Sequence, residues 1–416
     1  MKLIFLGTAA CYPTPTRGVS CTALQLDDGQ VWLFDCGEGS QIQMQKCKQI
    51  RGGKVTKIFI THLHGDHLFG LPGLLCTIGM GGNPEENSRV VDIYGPLGLR
   101  KYLLTSLEMS SSVPAFKYNI HELIPREDQF PQEWSKLNIN FEYSGKIAEH
   151  IGELSNHSIN PIIIHDKELL ESKKLNSASS MNSNKFSNEG DIIRDKEQKH
   201  YWDVISWDKS SYSVKASILR HRIPCFGYVI HEKDKSGTLN VQKLKELGVK
   251  PGPIYSQIKS GIPVKLENGD VINPNEFLGP PKKGCKVTIL GDTKDSSEMI
   301  SICQNSDVIV HEATNENSHK SQAVSHGHST PDMAAQFAID ANADVLCLTH
   351  VSPRYRSNIL PSLDDNLKVP TEKTDENYLF AEILKEEAQA YIDQKNEKVL
   401  VLVAEDFMVL PIKSSQ

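Results

Sequence analysis

Thr61-His62-Leu63-His64-Gly65-Asp66-His67 sets three imidazoles and a carboxylate within six residues, directly behind the apolar run Lys57 to Ile60. That run reads as a buried strand ending in a loop. In α/β sheets, side chains at the carboxyl ends of strands face the crevice where ligands bind, and Gly65 lets the loop turn tightly. His62 and His64 are then placed to share one metal ion. Asp66 and His67, beyond the turn, are placed to take a second, since imidazole and carboxylate are good zinc donors at about 2.0 to 2.2 Å. The plainer reading is a histidine-rich surface loop, but chance seldom assembles four donors at this spacing behind a strand.

One loop cannot close a two-metal site, so the remaining donors should follow other strands. His221 follows Val214 to Leu219 through Arg220, Asp292 lies in Leu290-Gly291-Asp292-Thr293 after Lys286 to Ile289, and His350 follows Val345 to Leu348 through Thr349. Each fits the strand-end rule. Asp292 is the natural bridge, because a carboxylate can hold two cations about 3.5 to 4 Å apart and imidazole cannot. Taken singly, His221 and His350 read as structural histidines, and Gly-Asp-Thr is a common turn. Their order behind the first motif gives the set its meaning.

The composition is that of an ordinary soluble enzyme: 416 residues with a formal charge of -7, so any affinity for phosphate must come from local patches. The length would allow two or three average domains, yet α/β hydrolytic folds of this size are often one domain with insertions, and one domain over 1–416 is expected. Nine cysteines form no C-x-x-C pair and are odd in number; most sit in apolar runs and read as reduced core thiols in a reducing compartment. A strand beginning at Lys2 leaves no room for a signal peptide, and no apolar stretch approaches the roughly 20 residues of a membrane helix.

Strands are expected at Lys2 to Leu6, Thr22 to Leu26, Val31 to Phe34, Lys57 to Ile60, Val90 to Tyr94, Val214 to Leu219, Gly227 to Ile230, Lys286 to Leu290, Val308 to Val310, Val345 to Leu348 and Val399 to Val403. Helices are expected at Ser40 to Gln49, Leu68 to Ile78, Pro331 to Ala341 and Glu376 to Gln394. Many strands with few long helices suggest an α/β fold of two sheets sandwiched between outer helices. Residues 130–205 form a variable insertion, whose Ser-, Asn- and Lys-rich part at 172–199 has almost nothing to bury and is expected to be disordered. Residues 231–282, with Gly248-Val249-Lys250-Pro251-Gly252-Pro253, lack a continuous apolar pattern and read as a protruding, flexible arm.

The string His62-x-His64-Gly65-Asp66-His67, followed by His221, Asp292 and His350, resembles the metallo-β-lactamase superfamily. The resemblance implies a four-layer αβ/βα sandwich that usually binds two zinc ions. Leu33-Phe34-Asp35-Cys36-Gly37-Glu38-Gly39 resembles the early Asp-Gly motif of that superfamily, which would give Asp35 the task of orienting the metal loop; otherwise it is a plain turn residue. The superfamily alone names no substrate. Phe5-Leu6-Gly7-Thr8, Tyr12-Pro13-Thr14-Pro15-Thr16-Arg17-Gly18, Gly70-Leu71-Pro72-Gly73-Leu74-Leu75, Leu219 to Tyr228, His311-Glu312-Ala313-Thr314 and Gly327-His328-Ser329-Thr330-Pro331 are together similar to the short form of ribonuclease Z, the zinc phosphodiesterase ElaC type. The similarity runs from residue 1 to Ala404-Glu405-Asp406-Phe407-Met408 and fails mainly across 130–200.

That family implies a zinc-dependent endoribonuclease that cuts precursor tRNA after the discriminator nucleotide, leaving a tRNA 3′ hydroxyl and a trailer 5′ phosphate. His62, His64 and His221 would hold one zinc, and Asp66, His67 and His350 the other, with Asp292 bridging. Asp66 would also be the general base. Water activated between the metals attacks phosphorus in line, and the leaving oxygen needs a proton from the opposite side. His328 can supply that proton while Glu312 hydrogen-bonds its imidazole and keeps it charged. The plainer reading is that Ser329 or Thr330 caps the next helix and His328 faces solvent.

Across 231–265 seven lysines (Lys233, Lys235, Lys243, Lys245, Lys250, Lys259, Lys265) stand against Glu232, Asp234 and Glu246, a balance of +4, with Glu267 just outside. Such a patch attracts phosphate locally, and in ribonuclease Z the corresponding arm clamps the tRNA elbow by shape; a charged, solvated loop is the plainer alternative. The family further implies a homodimer, a cytoplasmic location with nuclear entry left open, and no membrane partner. The loop Pro13 to Gly18 departs from the Pro-x-Lys-x-Arg-Asn form linked in some members to rejecting CCA ends, so that property is not carried over. Two other function classes compete: a metallo-β-lactamase-fold phosphodiesterase or esterase for small molecules, which would not need the arm, and an RNA-binding subunit without catalysis, which would not need seven intact ligands and His328.

Overall fold

The computed structural model describes residues 1–79, 89–125, 163–164, 201–208, 210–266, 269–356 and 379–413. The Ser/Asn/Lys-rich stretch 172–199 lies outside the described residues. Two mixed sheets carry the fold. The first takes β1 (Lys2–Gly7), β2 (Cys21–Gln25), β3 (Val31–Phe34), β4 (Val55–Phe59), β5 (Val90–Pro96), β6 (Lys117–Leu123) and β7 (Ile163–Ile164) in sequence order. The second holds β8 (Tyr201–Ile205), β9 (Tyr212–Leu219), β10 (Cys225–Glu232), β11 (Lys286–Ile289), β12 (Val308–Glu312), β13 (Val345–Thr349) and β14 (Leu400–Val403), and β15 (Val409–Pro411) returns to pair with β1. From β3 to β7 and from β11 to β14 neighbours run parallel, so those strands direct their carboxyl ends to common edges.

Both faces of each sheet are covered, which is why the strands are apolar at consecutive positions rather than alternate ones. In β1, Leu3 and Phe5 join the core between the sheets with Trp32, Phe59, Phe226 and Val310, while Ile4 and Leu6 pack under α1 (Ser40–Lys46), α2 (Gly65–Leu68), α3 (Leu71–Ile78) and α4 (Leu99–Met109). The second sheet behaves alike. Ile309, Leu346 and Val401 turn outward against Ala334, Phe337, Leu384 and Ile392 of the helices Pro331–Asp340 and Glu382–Gln394. Four layers result, helix on sheet on sheet on helix, as the strand count suggested.

All eleven expected strands coincide with observed ones, and three expectations need correction. The single helix over 68–78 is split at Gly70, because the backbone there approaches the Asp35-Cys36-Gly37 turn: a side chain on Gly70 would start 2.1 Å from the Gly37 carbonyl oxygen, and its N–H donates to Cys36 O at 2.9 Å. The insertion expected over 130–205 ends too late, since Tyr201–Ile205 is strand β8 with Trp202 1 % exposed in the core. The segment 231–282 has a core of its own. Leu244, Val249, Ile258, Val264, Ile272 and Phe277 form a separate cluster, and bridges pairing Lys235 with Lys282 and Leu239 with Leu278 bring its two ends together. The apolar residues come from two short helices, Val241–Glu246 and Pro253–Lys259, and a two-stranded hairpin, so no single periodicity reveals them.

Candidate metal centre and phosphodiester site

All nine residues singled out by sequence, seven donors plus Glu312 and His328, converge at the edge where the parallel strands of both sheets end. The loop leaving β4 supplies His62 and His64, and α2 behind it Asp66 and His67; His221 sits in the turn between β9 and β10; Asp292 follows β11 and His350 follows β13. Donor atoms of His62, His64, His221 and Asp292 all lie within 4.8 Å of one another, and so do those of Asp66, His67 and His350. Asp292, 2 % exposed, stands between the sets. Its Oδ1 lies 3.2 and 3.3 Å from Nε2 of His67 and His350, and its Oδ2 lies 3.6 and 3.8 Å from Nε2 of His62 and His221.

The tautomers are set by hydrogen bonds that the sequence did not disclose. Thr61 Oγ1 donates to Asp35 Oδ2 at 2.9 Å, so its oxygen accepts from His62 Nδ1 at 3.0 Å. Thr314 Oγ1 donates to Glu312 Oε2 at 2.6 Å, so its oxygen accepts from His350 Nδ1 at 3.1 Å. His67 Nδ1 donates to Asp35 Oδ2 and His221 Nδ1 to Gly327 O, each at 2.7 Å. In His62, His221 and His350 Nε2 is left as the lone-pair nitrogen aimed inward, the arrangement metal-binding histidines require; Nε2 of His67 also points inward, but against burial Asp292 and Asp35 hold that ring above the usual histidine range, so a metal displaces its proton. Asp35 also accepts from Thr61 N at 2.7 Å, and its left-handed backbone (φ 61°) is one that Asp tolerates. It therefore does orient the loop.

The donor set fits a metal pair. Inward nitrogens face each other at 3.0 Å (His62–His64), 3.1 Å (His221–His64) and 3.2 Å (His67–His350), close to the roughly 3.3 Å edge of a tetrahedron of zinc–nitrogen bonds. The buried Oδ1 of Asp292 has no hydrogen-bond partner of its own, a costly state unless a cation completes it. Burial holds His62 and His221 below the usual histidine range and takes His64 down to about 4, so these rings stay neutral and ready to ligate. Although burial opposes ionisation of Asp292, the facing His350 and His67 hold its carboxyl well below the carboxylate range.

Beside the donors, Glu312 ends β12 and binds three partners: its Oε1 accepts from Thr293 N at 2.6 Å and from His328 Nδ1 at 3.2 Å, and its Oε2 accepts from Thr314. Burial alone would discharge His328, but Glu312 and then Asp292 push it up to about 9. His328 is 7 % exposed, with Nδ1 3.7 Å from Asp292 Oδ2, so it does not face solvent. Capping does not explain its neighbours either: Thr330 makes no side-chain cap bond to Pro331–Asp340, and Ser329 Oγ donates to Thr293 O. Asp66 is half-buried, with Oδ2 3.3 Å from His350 Nε2 and 2.7 Å from Cys11 N; burial disfavours its charge, but His350 and His67 hold it below the carboxylate range.

Comparisons with known proteins decide which family built this site. The chain is 40 % identical over 414 residues to human zinc phosphodiesterase ELAC protein 1, covering 99 % of this chain and 98 % of that protein. It is 35 % identical over 389 residues to ribonuclease Z of Prochlorococcus marinus (strain MIT 9312), covering 92 % of this chain and all of the other. The chain belongs to the ribonuclease Z family. A crystal structure of human tRNase Z, short form, superposes with a TM-score of 0.58 at 30 % identity, covering 99 % of this chain and 100 % of that one. The sandwich is the metallo-β-lactamase fold. The anti-Pycsar protein Apyc1 family model matches residues 1–91, the portion that carries β1 to β4 and the first metal motif.

In the loop 13–18, Arg17 is a buried tether. Its guanidinium donates to Thr8 Oγ1 at 2.6 Å, Ala404 O at 2.8 Å and Glu405 Oε1 at 2.5 Å. The seven lysines of the arm are exposed, but Lys235 is held by Glu232 at 2.7 Å and Asp27 at 2.9 Å. Lys245, Lys250, Lys259 and Lys265 form no ion pair among the described residues. All nine cysteines are free, and no described helix is long and apolar enough to cross a membrane.

Proposed function

We propose that this chain is a zinc-dependent endoribonuclease that removes the 3′ trailer of precursor tRNA, leaving a 3′ hydroxyl on the tRNA and a 5′ phosphate on the trailer. The observation that carries it is the meeting of two donor sets on Asp292 with the Glu312–His328 pair alongside, in a chain alignable end to end with a zinc phosphodiesterase. His62, His64 and His221 hold one ion, Asp66, His67 and His350 the other, and Asp292 both, for two zinc ions per chain. When bound, the ions stabilise negative charge on the phosphoryl oxygens and acidify water. Asp66 accepts the proton of the attacking water. His328, kept charged by Glu312, gives its proton to the leaving 3′ oxygen. His328 is then neutral and takes a proton from solvent before the next turnover, and Glu312 stabilises the ring once it is cationic again.

The arm 231–282 grips the tRNA body through its unpaired lysines, one polypeptide domain carries the whole apparatus, and the enzyme works as a homodimer in the cytoplasm, with nuclear entry left to localisation of the tagged full chain. Incubating the purified protein with a 3′-extended pre-tRNA and mapping the product ends tests the activity. A 3′ hydroxyl at the discriminator with a 5′-phosphorylated trailer is expected. Uncut RNA, with metal content verified, would overturn the reading.

A further inference from the structure

The β9–β10 turn that carries His221 is held in place through Arg220. Arg220 N donates to Asp295 O at 3.1 Å, its carbonyl accepts from Lys294 N at 2.8 Å, and its guanidinium pairs with Glu298 at 2.5 Å. Arg222, two residues on, is exposed and forms no ion pair among the described residues. Its stem lies against the turn that leads into His328: a side-chain carbon built on Gly327 would start 3.3 Å from Arg222 Cγ. Its charge acts on His64, on His328 and on Cys11, whose N–H binds Asp66. The stem of Arg222 therefore lies beside the turn before His328, one residue from His221, with its head exposed at the edge of the metal site.

An exposed cation with no carboxylate partner among the described residues, beside a site that holds Asp66, Asp292 and Glu312, is free to take another anion. Those acids face inward to their histidines, and the fork of Arg222 is left to the outside. A guanidinium matches a phosphate in bidentate fashion and is more weakly hydrated than an ammonium, so it gives up water readily to such a ligand. We propose that Arg222 is a positioning residue that binds the RNA backbone phosphate flanking the scissile one on the side that departs with the 3′ hydroxyl. The direction follows from His328: the proton donor stands on the leaving-oxygen side, and Arg222 packs against the residue before it. This rests on the ribonuclease reading above. It extends that reading from the reacting phosphate to the next one along the chain.

The test compares wild type, Arg222→Ala and Arg222→Lys on a 3′-extended pre-tRNA and on bis(4-nitrophenyl) phosphate, which has a scissile phosphate but no flanking one. Loss of one charge-assisted contact should raise KM for pre-tRNA by about 10- to 100-fold, with kcat lowered less, and Arg222→Lys should recover part of it. The pre-tRNA defect should exceed any defect on the small diester at least tenfold. Replacing the flanking phosphate by an uncharged methylphosphonate in the wild-type reaction should reproduce the Arg222→Ala loss and leave that variant with little more to lose. Equal losses on both substrates would mean that Arg222 supports the metal site or the scissile phosphate, and unchanged pre-tRNA kinetics would mean no contact; either result overturns the inference while the ribonuclease reading stands. A wild-type enzyme that cuts the small diester but not pre-tRNA overturns both, and shows itself before any variant is made.

Discussion

Asp35→Asn should weaken metal binding by about 10- to 100-fold while leaving the fold nearly as stable as wild type. The replacement keeps shape and a residue type that tolerates the left-handed backbone at φ 61°, so strain does not enter. One amide oxygen can still accept from Thr61 N, now at 2.7 Å. The amide nitrogen then faces Thr61 Oγ1 and His67 Nδ1, where Asp35 Oδ2 accepts at 2.9 and 2.7 Å. It donates to His67 Nδ1 and thereby favours the tautomer with its proton on Nε2, the nitrogen that faces Asp292 Oδ1 at 3.2 Å. A ligand must shed that proton to bind a metal. Exchanging a charge-assisted hydrogen bond for one that selects the wrong tautomer costs about 1.5–3 kcal/mol, which is the 10- to 100-fold range seen when outer partners of metal ligands are altered. Competition with a chromogenic zinc chelator reads the affinity, and urea unfolding of the metal-free protein reads the stability. Zinc affinity within twofold of wild type would refute the tautomer argument. A large loss of metal-free stability would instead show that Asp35 acts mainly as a structural tether.

Asp292→Ala should lose at least one zinc and nearly all cleavage, because one carboxylate faces both donor sets; two metals per chain with normal turnover, read by elemental analysis and a cleavage assay, would exclude the bridge. His328→Ala should reduce turnover by about 10² to 10⁴ with zinc content and pre-tRNA affinity unchanged, as expected on losing a proton donor, and zinc loss in that variant would move His328 into the ligand set. Removing residues 236–262 should sharply impair pre-tRNA cleavage and flatten its salt dependence while hydrolysis of a small chromogenic diester survives; equal loss on both substrates would make the segment structural.

The metal donors were readable because each belongs to a short motif at the end of an apolar strand, and strand ends share one edge of an α/β sheet. The hydrogen bonds that fix their tautomers were not. Thr61 and Thr314 are ordinary hydroxyl residues in sequence, and only the fold brings Thr314 to His350, 36 residues away, while the 2.6 Å bond to Glu312 decides which atom donates. The same limit hid parts of the fold. Strand β6 reads as polar because Asn119 and His121 face inward, where each meets Asp92 at 3.1 Å, so its buried polarity is satisfied across the sheet by a residue 27 or 29 positions away. The helix Leu99–Met109 carries a signal that the expected helices do not include, Leu99, Leu103 and Leu107 at every fourth position, behind Gly98 with φ 105° where a capping side chain would stand.

Charge counting in the arm met the complementary problem. A balance of +4 treats all seven lysines alike, yet Lys235 is neutralised twice, by Glu232 and by Asp27, and Asp27 lies outside the segment over which the balance was taken. The same reasoning separates Arg220 from Arg222, identical in type and two residues apart, of which one is committed to Glu298 and the other stands at the edge of the site without an ion-pair partner among the described residues. A cation's worth to an RNA partner is set by whether the folded chain already holds its counter-charge, because a paired arginine or lysine must give up one partner to gain another, whereas an unpaired one gives up only water and counterions.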